Sequence, residues 1–200
     1  VEKEIRKIYG DDIGISSPRK TLSILSGGLL WINNNILDFA PHCPDHPVLL
    51  GDHIKRIFNL NSSLKIRLKK KIINRPMYED LNEFRESVKS DYSIDKWSKK
   101  IIDKTDWTYI AKSRREHYHN WKDFAYHNKL TPVFTELYSQ ANPWCFPAYV
   151  QNHSEAIEWF NWGWKNNVHV YSWPTLPFEI VKKNGESLTR WKKLICFGIL

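Results

Sequence analysis

Gly10-Asp11-Asp12-Ile13-Gly14-Ile15, then Ser17-Pro18-Arg19-Lys20-Thr21-Leu22, then Gly27-Gly28-Leu29-Leu30-Trp31-Ile32 is the stretch whose reading decides the fold. Two short apolar runs flank a polar segment, and a glycine pair leads into the second run. The pattern reads as strand, polar turn carrying one lysine, glycine turn, strand. A lysine in a turn between buried strands is where a protein can place an amine that must lose its proton to react. Burial disfavours the ammonium form and lowers its pKa, and a neutral amine attacks an aldehyde to give a Schiff base. Lys20 is therefore the candidate catalytic residue, set against the ordinary reading of a solvated surface lysine.

The 200 residues suit one domain or parts of two. Hydrophobic content of 42% and ten tryptophans are enough for a core. No apolar run approaches the roughly 20 residues that span a bilayer, and no signal-peptide pattern opens the chain. Cys43, Cys145 and Cys196 are far apart and odd in number, which argues against a disulfide framework. A soluble, cytoplasmic protein is the expectation. Because the chain opens on Val1 and closes on the apolar run 194–200, it reads as a piece of a longer one.

The net charge of +8 is concentrated. Between His53 and Tyr78 stand Lys55, Arg56, Lys65, Arg67, Lys69, Lys70, Lys71 and Arg75 with no acidic residue. Ile54, Ile57, Phe58, Leu64, Leu68 and Ile72 recur at near-helical spacing, which makes this a basic amphipathic helix or helix pair. It reads either as a helix with its apolar side on the core and a solvated basic face, or as a contact for an anionic membrane surface or nucleic acid.

The pattern from Gly51 to about Asn128 is mainly helical, broken near Arg75-Pro76 and around residues 103–106, with a long polar helix over 109–127. Beyond it, 144–151 reads as a strand opened by Pro143, and Pro147 inside it suggests an edge position. Ser154 is the expected N-cap of a helix over 155–166 with Ala156, Ile157, Phe160 and Trp164 on one side. A short strand over 168–171, an extended loop at Trp173-Pro174-Thr175-Leu176-Pro177 and a turn at Asn184-Gly185 follow. A helix over 188–193 capped by Ser187 and a final apolar strand complete a compact α+β unit. Trp159, Trp162 and Trp164 cannot share one helix side, so some are expected at the surface or at another chain.

Several groupings carry little chemistry. His42, Cys43, Asp45 and His46 are ligand types, yet only His53 stands near enough to help and two prolines stiffen the loop, so no metal site is expected. His117 and His119 point to different sides of a helix. Cys145, between Trp144 and Phe146, reads as a core thiol. No Gly-x-Ser-x-Gly elbow, P-loop or Gly-x-Gly-x-x-Gly turn is present.

One family arranges such segments in this order. Ser17-Pro18-Arg19-Lys20-Thr21-Leu22 with Gly27-Gly28 comes first, followed by Arg114-Arg115 with Tyr118 on a long helix. Pro143-Trp144-Cys145-Phe146-Pro147, Trp173-Pro174-Thr175-Leu176-Pro177 and Leu194-Ile195-Cys196 follow. Over about 9–32 and 109–199 the chain resembles the later part of a DegT/DnrJ/EryC1/StrS-type aminotransferase, a fold-type-I pyridoxal-phosphate (PLP) enzyme. The resemblance implies an α/β fold in which the end of a PLP-transferase type I large domain precedes a small α+β C-terminal domain. Residues 1–50 would be the remnant of the large domain with the lysine turn, 51–108 a basic helical connection, and 109–200 the small domain.

By the same resemblance Lys20 holds PLP as a Schiff base, and, once displaced by an amino donor, its freed amine moves the substrate proton. Ser17, with Ser16 as fallback, would touch the cofactor phosphate, a role that a hydroxyl near the turn's backbone N–H groups suits. The implied enzyme is a homodimeric transaminase acting on a small carbonyl substrate such as a nucleotide sugar, without nucleic acid and without a membrane span. The carboxylate for the pyridine nitrogen and the stacking ring belong to the family's N-terminal region, so this stretch alone is expected to bind PLP poorly. Ser26 stands where the family often has an acidic residue, Pro18 stiffens the turn, and Asn166-Asn167-Val168 replaces a common Gly-Ile step. A non-catalytic relative used for binding or assembly is the second reading, and a basic nucleic-acid- or membrane-surface-associated protein the third.

Overall fold

Alternation of large apolar residues with smaller ones around Phe146 and Phe197 builds a four-stranded sheet. The computed structural model describes residues 13–18, 21, 22, 24, 27–32, 66–68, 70, 71, 93–173 and 176–199. The chain divides into two compact units, Val1–Leu60 with Val88–Ile110, and Asn61–Ser87 with Ala111–Leu200.

In the first unit, β1 (Ile13–Ser16) pairs antiparallel with β2 (Leu29–Ile32), Ile13 facing Ile32 and Ser16 facing Leu29. Both strands fall on the expected apolar runs. Helix α1 (Lys96–Lys104) starts at Asp95, whose side chain accepts from Trp97 N and Ser98 N at 3.1 and 2.9 Å, the usual rescue of unpaired first-turn amides. It ends at Thr105-Asp106, where the sequence pattern breaks.

Helix α2 (Trp107–His127) opens with Asp106 Oδ1 accepting from Tyr109 N at 3.0 Å. Buried or half-buried Arg114, Tyr118, Trp121 and Ala125 recur at intervals of four, three and four, a single stripe on a 3.6-residue period. Lys129 at φ 59° and a bond from Leu130 N to Ala125 O terminate it. The sheet follows: β3 (Thr131–Pro132), β4 (Cys145–Tyr149), β5 (Val170–Ser172) and β6 (Leu194–Gly198), ordered β3-β4-β6-β5 with every pairing antiparallel. Helix α3 (His153–Asn166) joins β4 to β5, which run the same way, and β6 occupies the slot between them. Short helices α4 (Phe178–Lys183) and α5 (Glu186–Lys192) lie before β6 in sequence. The described residues therefore mix helices with a four-stranded antiparallel sheet, an α+β arrangement that agrees in general terms with the mixed class expected.

One sheet face carries the core. Phe146, Ala148, Ile195 and Phe197 are fully buried there, with Val170 alongside. Tyr118 meets Phe146 edge-on at 4.9 Å and Trp121 stacks on Phe197 at 4.6 Å. Each fully buried phenylalanine contributes about 1.5–3 kcal/mol over exposure. On α3, Ala156 and Gly163 face inward, and a Cβ on Gly163 would stand 2.5 Å from Val170 Cγ2 and 2.8 Å from Val168 O.

Several local expectations are corrected. Strand β4 is internal rather than an edge, because Val133 N donates to Pro147 O at 3.0 Å. In a strand the N–H position shares that side, so the missing donor of Pro147 falls toward the two-residue β3 and the β6 pairing is unaffected. The cap of α3 is Asn152, not Ser154: Asn152 Oδ1 accepts from Glu155 N at 2.9 Å while Glu155 Oε2 accepts from Gln151 N at 2.7 Å. Gly185 rather than Ser187 precedes α5, and α4 forms where no helix was expected, behind Pro177. The strand expected at 168–171 begins at Val170, because Val168 N is bound to Gly163 O at the end of α3. Trp159, Trp162 and Trp164 are all half-buried, the first two packed against Phe124.

The contact at Gly163 gives a first test. Gly163→Ala gains helix propensity but overpacks against Val168 and Val170, so a net loss of about 1–2 kcal/mol is expected in urea unfolding. Unchanged or increased stability would contradict this packing.

Candidate functional site

The lysine turn begins where β1 ends. Ser17 is half-buried and Pro18 buried, and Pro18 O accepts from Thr21 N at 2.8 Å and from Leu22 N at 2.7 Å. Ile24 N in turn bonds Leu22 O at 2.8 Å, and the Ile24 side chain is buried. Gly27 sits at φ +108°, where a side chain is strained, and a Cβ there would approach Ile94 Cγ1 to 2.8 Å. Gly28 has ordinary room, its nearest neighbour being Ser16 O at 3.5 Å. The glycine pair thus divides its work: Gly27 needs its freedom for the return into β2 and Gly28 does not. Lys20, the candidate catalytic residue, lies outside the described residues, as do Arg19 and Ser26.

The anion-binding capacity of this turn is narrower than its sequence suggests. The amides of Thr21 and Leu22 are spent on Pro18 O, so an anion at the turn would draw on the Ser17 hydroxyl rather than on those two N–H groups.

Within the basic segment 53–78, the described helical residues 66–68, 70 and 71 have Ile66 buried and Arg67 and Lys71 exposed. Lys70 Nζ donates to Lys165 O and Asn167 Oδ1 at 3.1 and 2.9 Å, at the C-terminal end of α3, and stands 5.8 Å from the Trp164 ring. A cation at a helix C-terminus satisfies leftover carbonyls. Lys70 is therefore committed to the end of α3. Among the described residues no helix is long and apolar enough to cross a membrane, and no group of three His, Cys, Asp or Glu residues could hold a metal ion.

A second constellation lies on the sheet face away from the core. Pairing of Pro147 and Tyr171 with Cys196, and of Cys145 with Gly198, brings Cys145, Cys196 and Tyr171 to one face. Both cysteines are free thiols; Cys145 is half-buried and Cys196 fully buried. Arg114, only 5% exposed on α2, reaches this strand end: its Nε donates to Pro143 O at 2.7 Å and its NH2 group to Trp144 O at 3.1 Å. Hydrogen bonding from the Cys196 thiol, opposed by burial and reinforced by the Tyr171 hydroxyl and the Arg114 charge, lowers the Cys145 pKa to about 7. The Cys196 thiol is pushed up by its bond to Cys145 and by burial. Burial, then the two neighbouring sulfurs, pushes the Tyr171 phenol up. Desolvation lowers Arg114, with Tyr171 and Cys145 opposing, yet a guanidinium stays charged.

From the sequence Cys145 reads only as a core thiol. Its parity is visible there, since 145, 147 and 149 alternate with the buried 146 and 148. The β6 and β5 registers, which bring Cys196 and Tyr171 beside it, are not.

No protein family, curated protein or solved structure matches the chain.

The raised Tyr171 pKa sets a pH dependence. A phenol whose folded pKa exceeds its unfolded value near 10 contributes fully below about pH 10, and the contribution drains away above it at up to about 1.4 kcal/mol per pH unit. Urea midpoints of the wild type should fall between about pH 9.5 and 11 more steeply than those of Tyr171→Phe. Identical slopes would mean that the phenol keeps its ordinary pKa.

Proposed function

We propose that the chain is the later part of a PLP-dependent aminotransferase of the DegT/DnrJ/EryC1/StrS type, transferring an amino group to a sugar or similar small carbonyl compound. One observation carries this reading: Ser16 pairs with Leu29, so β1 and β2 form an antiparallel pair whose connecting sequence is the one that contains Lys20. The α+β unit that follows supports it in general terms.

PLP, when bound, supplies the electron sink that lets a carbon acid lose its proton. The chain's own residues do the rest. The Lys20 amine must be neutral to act as nucleophile, and once released it carries a proton as general base and then acid. Ser17 Oγ, with Ser16 as fallback, would take the cofactor phosphate in this reading, and Gly27 permits the reversal into β2. A homodimer, an amino donor and a nucleotide-sugar acceptor belong to the same reading.

The alternative of a non-catalytic relative has one observation in its favour, the prior commitment of the Thr21 and Leu22 amides to Pro18 O. Cofactor binding separates the two. Full-length protein mixed with PLP should show a cofactor absorbance band that Lys20→Ala abolishes. Ser17→Ala should weaken PLP binding about tenfold, or about 1.4 kcal/mol. A full-length protein with no band would sink the proposal and leave the non-catalytic reading.

A further inference from the structure

The outer face of the four-stranded sheet holds chemistry that the lysine turn does not use. Cys145 opens β4, and three groups from three other elements surround it: Cys196 from β6, Tyr171 from β5 and Arg114 from α2. Tyr118 of α2 also feels its charge, with burial the larger cause of that phenol's raised pKa. The His169 ring stacks on Tyr171 at 4.6 Å and 27°, which braces the phenol. Directly across the strand pair from Cys145 stands Gly198, which brings no side chain of its own to that flank. A Cβ at Gly198 would come within 3.2 Å of His169 Cβ and Nδ1, so the His169 side chain packs over this glycine. Trp144 and Trp173, 37% and 38% exposed and 5.6 Å apart, form the rim nearby.

A half-buried thiol ringed by donors and a fixed cation is the environment in which a cysteine reacts as thiolate. The geometry points to Cys145 as a site of oxidation by hydrogen peroxide, with Cys196, Tyr171 and Arg114 holding the reacting sulfur as its anion. This is independent of the lysine turn and of any cofactor there. In the step, the Cys145 sulfur attacks one peroxide oxygen, an S–O bond forms and the O–O bond breaks. Sulfur loses two electrons, peroxide gains them, and the departing hydroxide takes a proton from solvent to leave water. The product is a sulfenic acid.

Cys196 does not go on to form a disulfide. The register sets it diagonally from Cys145, Cys145 facing Gly198 and Cys196 facing Pro147. Diagonal neighbours on adjacent strands have Cα atoms about 7–8 Å apart, beyond the reach of an unstrained bridge. Cys196 acts instead as a hydrogen-bond donor, which is why its own thiol stays protonated.

The test uses full-length protein and peptide mass mapping. Iodoacetamide alkylation of Cys145 is followed from about pH 5.5 to 9.5, and peroxide treatment is followed by a sulfenic-acid-specific cyclic diketone. Alkylation should show a midpoint near pH 7, and the diketone adduct should appear on Cys145 and vanish in Cys145→Ser. Tyr171→Phe and Cys196→Ala should each move the midpoint upward. A midpoint higher by about one pH unit cuts the thiolate fraction at pH 7 from about a half to about a tenth, so labelling at pH 7 falls about fivefold. Near-UV circular dichroism checks that each variant is folded, and either one that folds suffices. If neither folds, the wild-type midpoint and adduct decide. A midpoint above about 8.5, no diketone adduct on Cys145, a Cys145–Cys196 disulfide as the main product, or midpoints unmoved in folded variants would each overturn the proposal.

Discussion

The register with which β6 enters between β4 and β5 is the constraint on which the rest depends. Those two strands run parallel to each other and are joined by α3, so among the described strands β5 pairs with β6 alone and β4 otherwise only with the two-residue β3. The entry of β6 pairs Phe197 with Phe146 and Val170, and Cys196 with Pro147 and Tyr171. A slip of β6 by one residue would turn Phe197 and Ile195 outward and Cys196 inward. The Tyr118 and Trp121 rings, packed against Phe146 and Phe197, hold the correct register from the helix side.

Arg114 links this core to the opposite face. Its position on the buried stripe of α2 follows from helical spacing, four residues before Tyr118. Its guanidinium, however, leaves the core to bond the carbonyls of Pro143 and Trp144. Charge-assisted bonds of this kind are worth about 1.5–3 kcal/mol each, and they fix where β4 starts. The same charge then stands beside Cys145. One residue therefore both anchors the strand and supplies the electrostatics of its first side chain.

Much of this is legible in the sequence where a signal is local. The strands at 13–16, 29–32 and 194–198 fall on apolar runs bounded by turn residues, and α2 lies close to its expected limits because its stripe is long. Legibility fails where neighbours decide. Ser154 and Asn152 are both good caps, and the backward bond from Gln151 N to Glu155 selects Asn152. Pro147 reads as an edge residue until β3 proves too short to need its N–H. Trp159 and Trp162 look surplus on α3 until Phe124 of α2 meets them at 5.8 and 5.4 Å. The sulfur cluster depends on cross-strand register, which no single segment encodes.

The lysine turn is the opposite case. The sequence singles out Lys20, Ser17 and the glycine pair, and the described residues add the bracket around them: β1 paired to β2, Pro18 and Ile24 buried, and Gly27 in a conformation that suits glycine. The functional reading rests on Lys20 being the amine that takes the cofactor. Borohydride reduction of full-length protein in the presence of PLP, followed by peptide mass mapping, asks this directly. The account expects a single phosphopyridoxyl group on the peptide containing Lys20. The same group on a different lysine, or no incorporation at all, would contradict it.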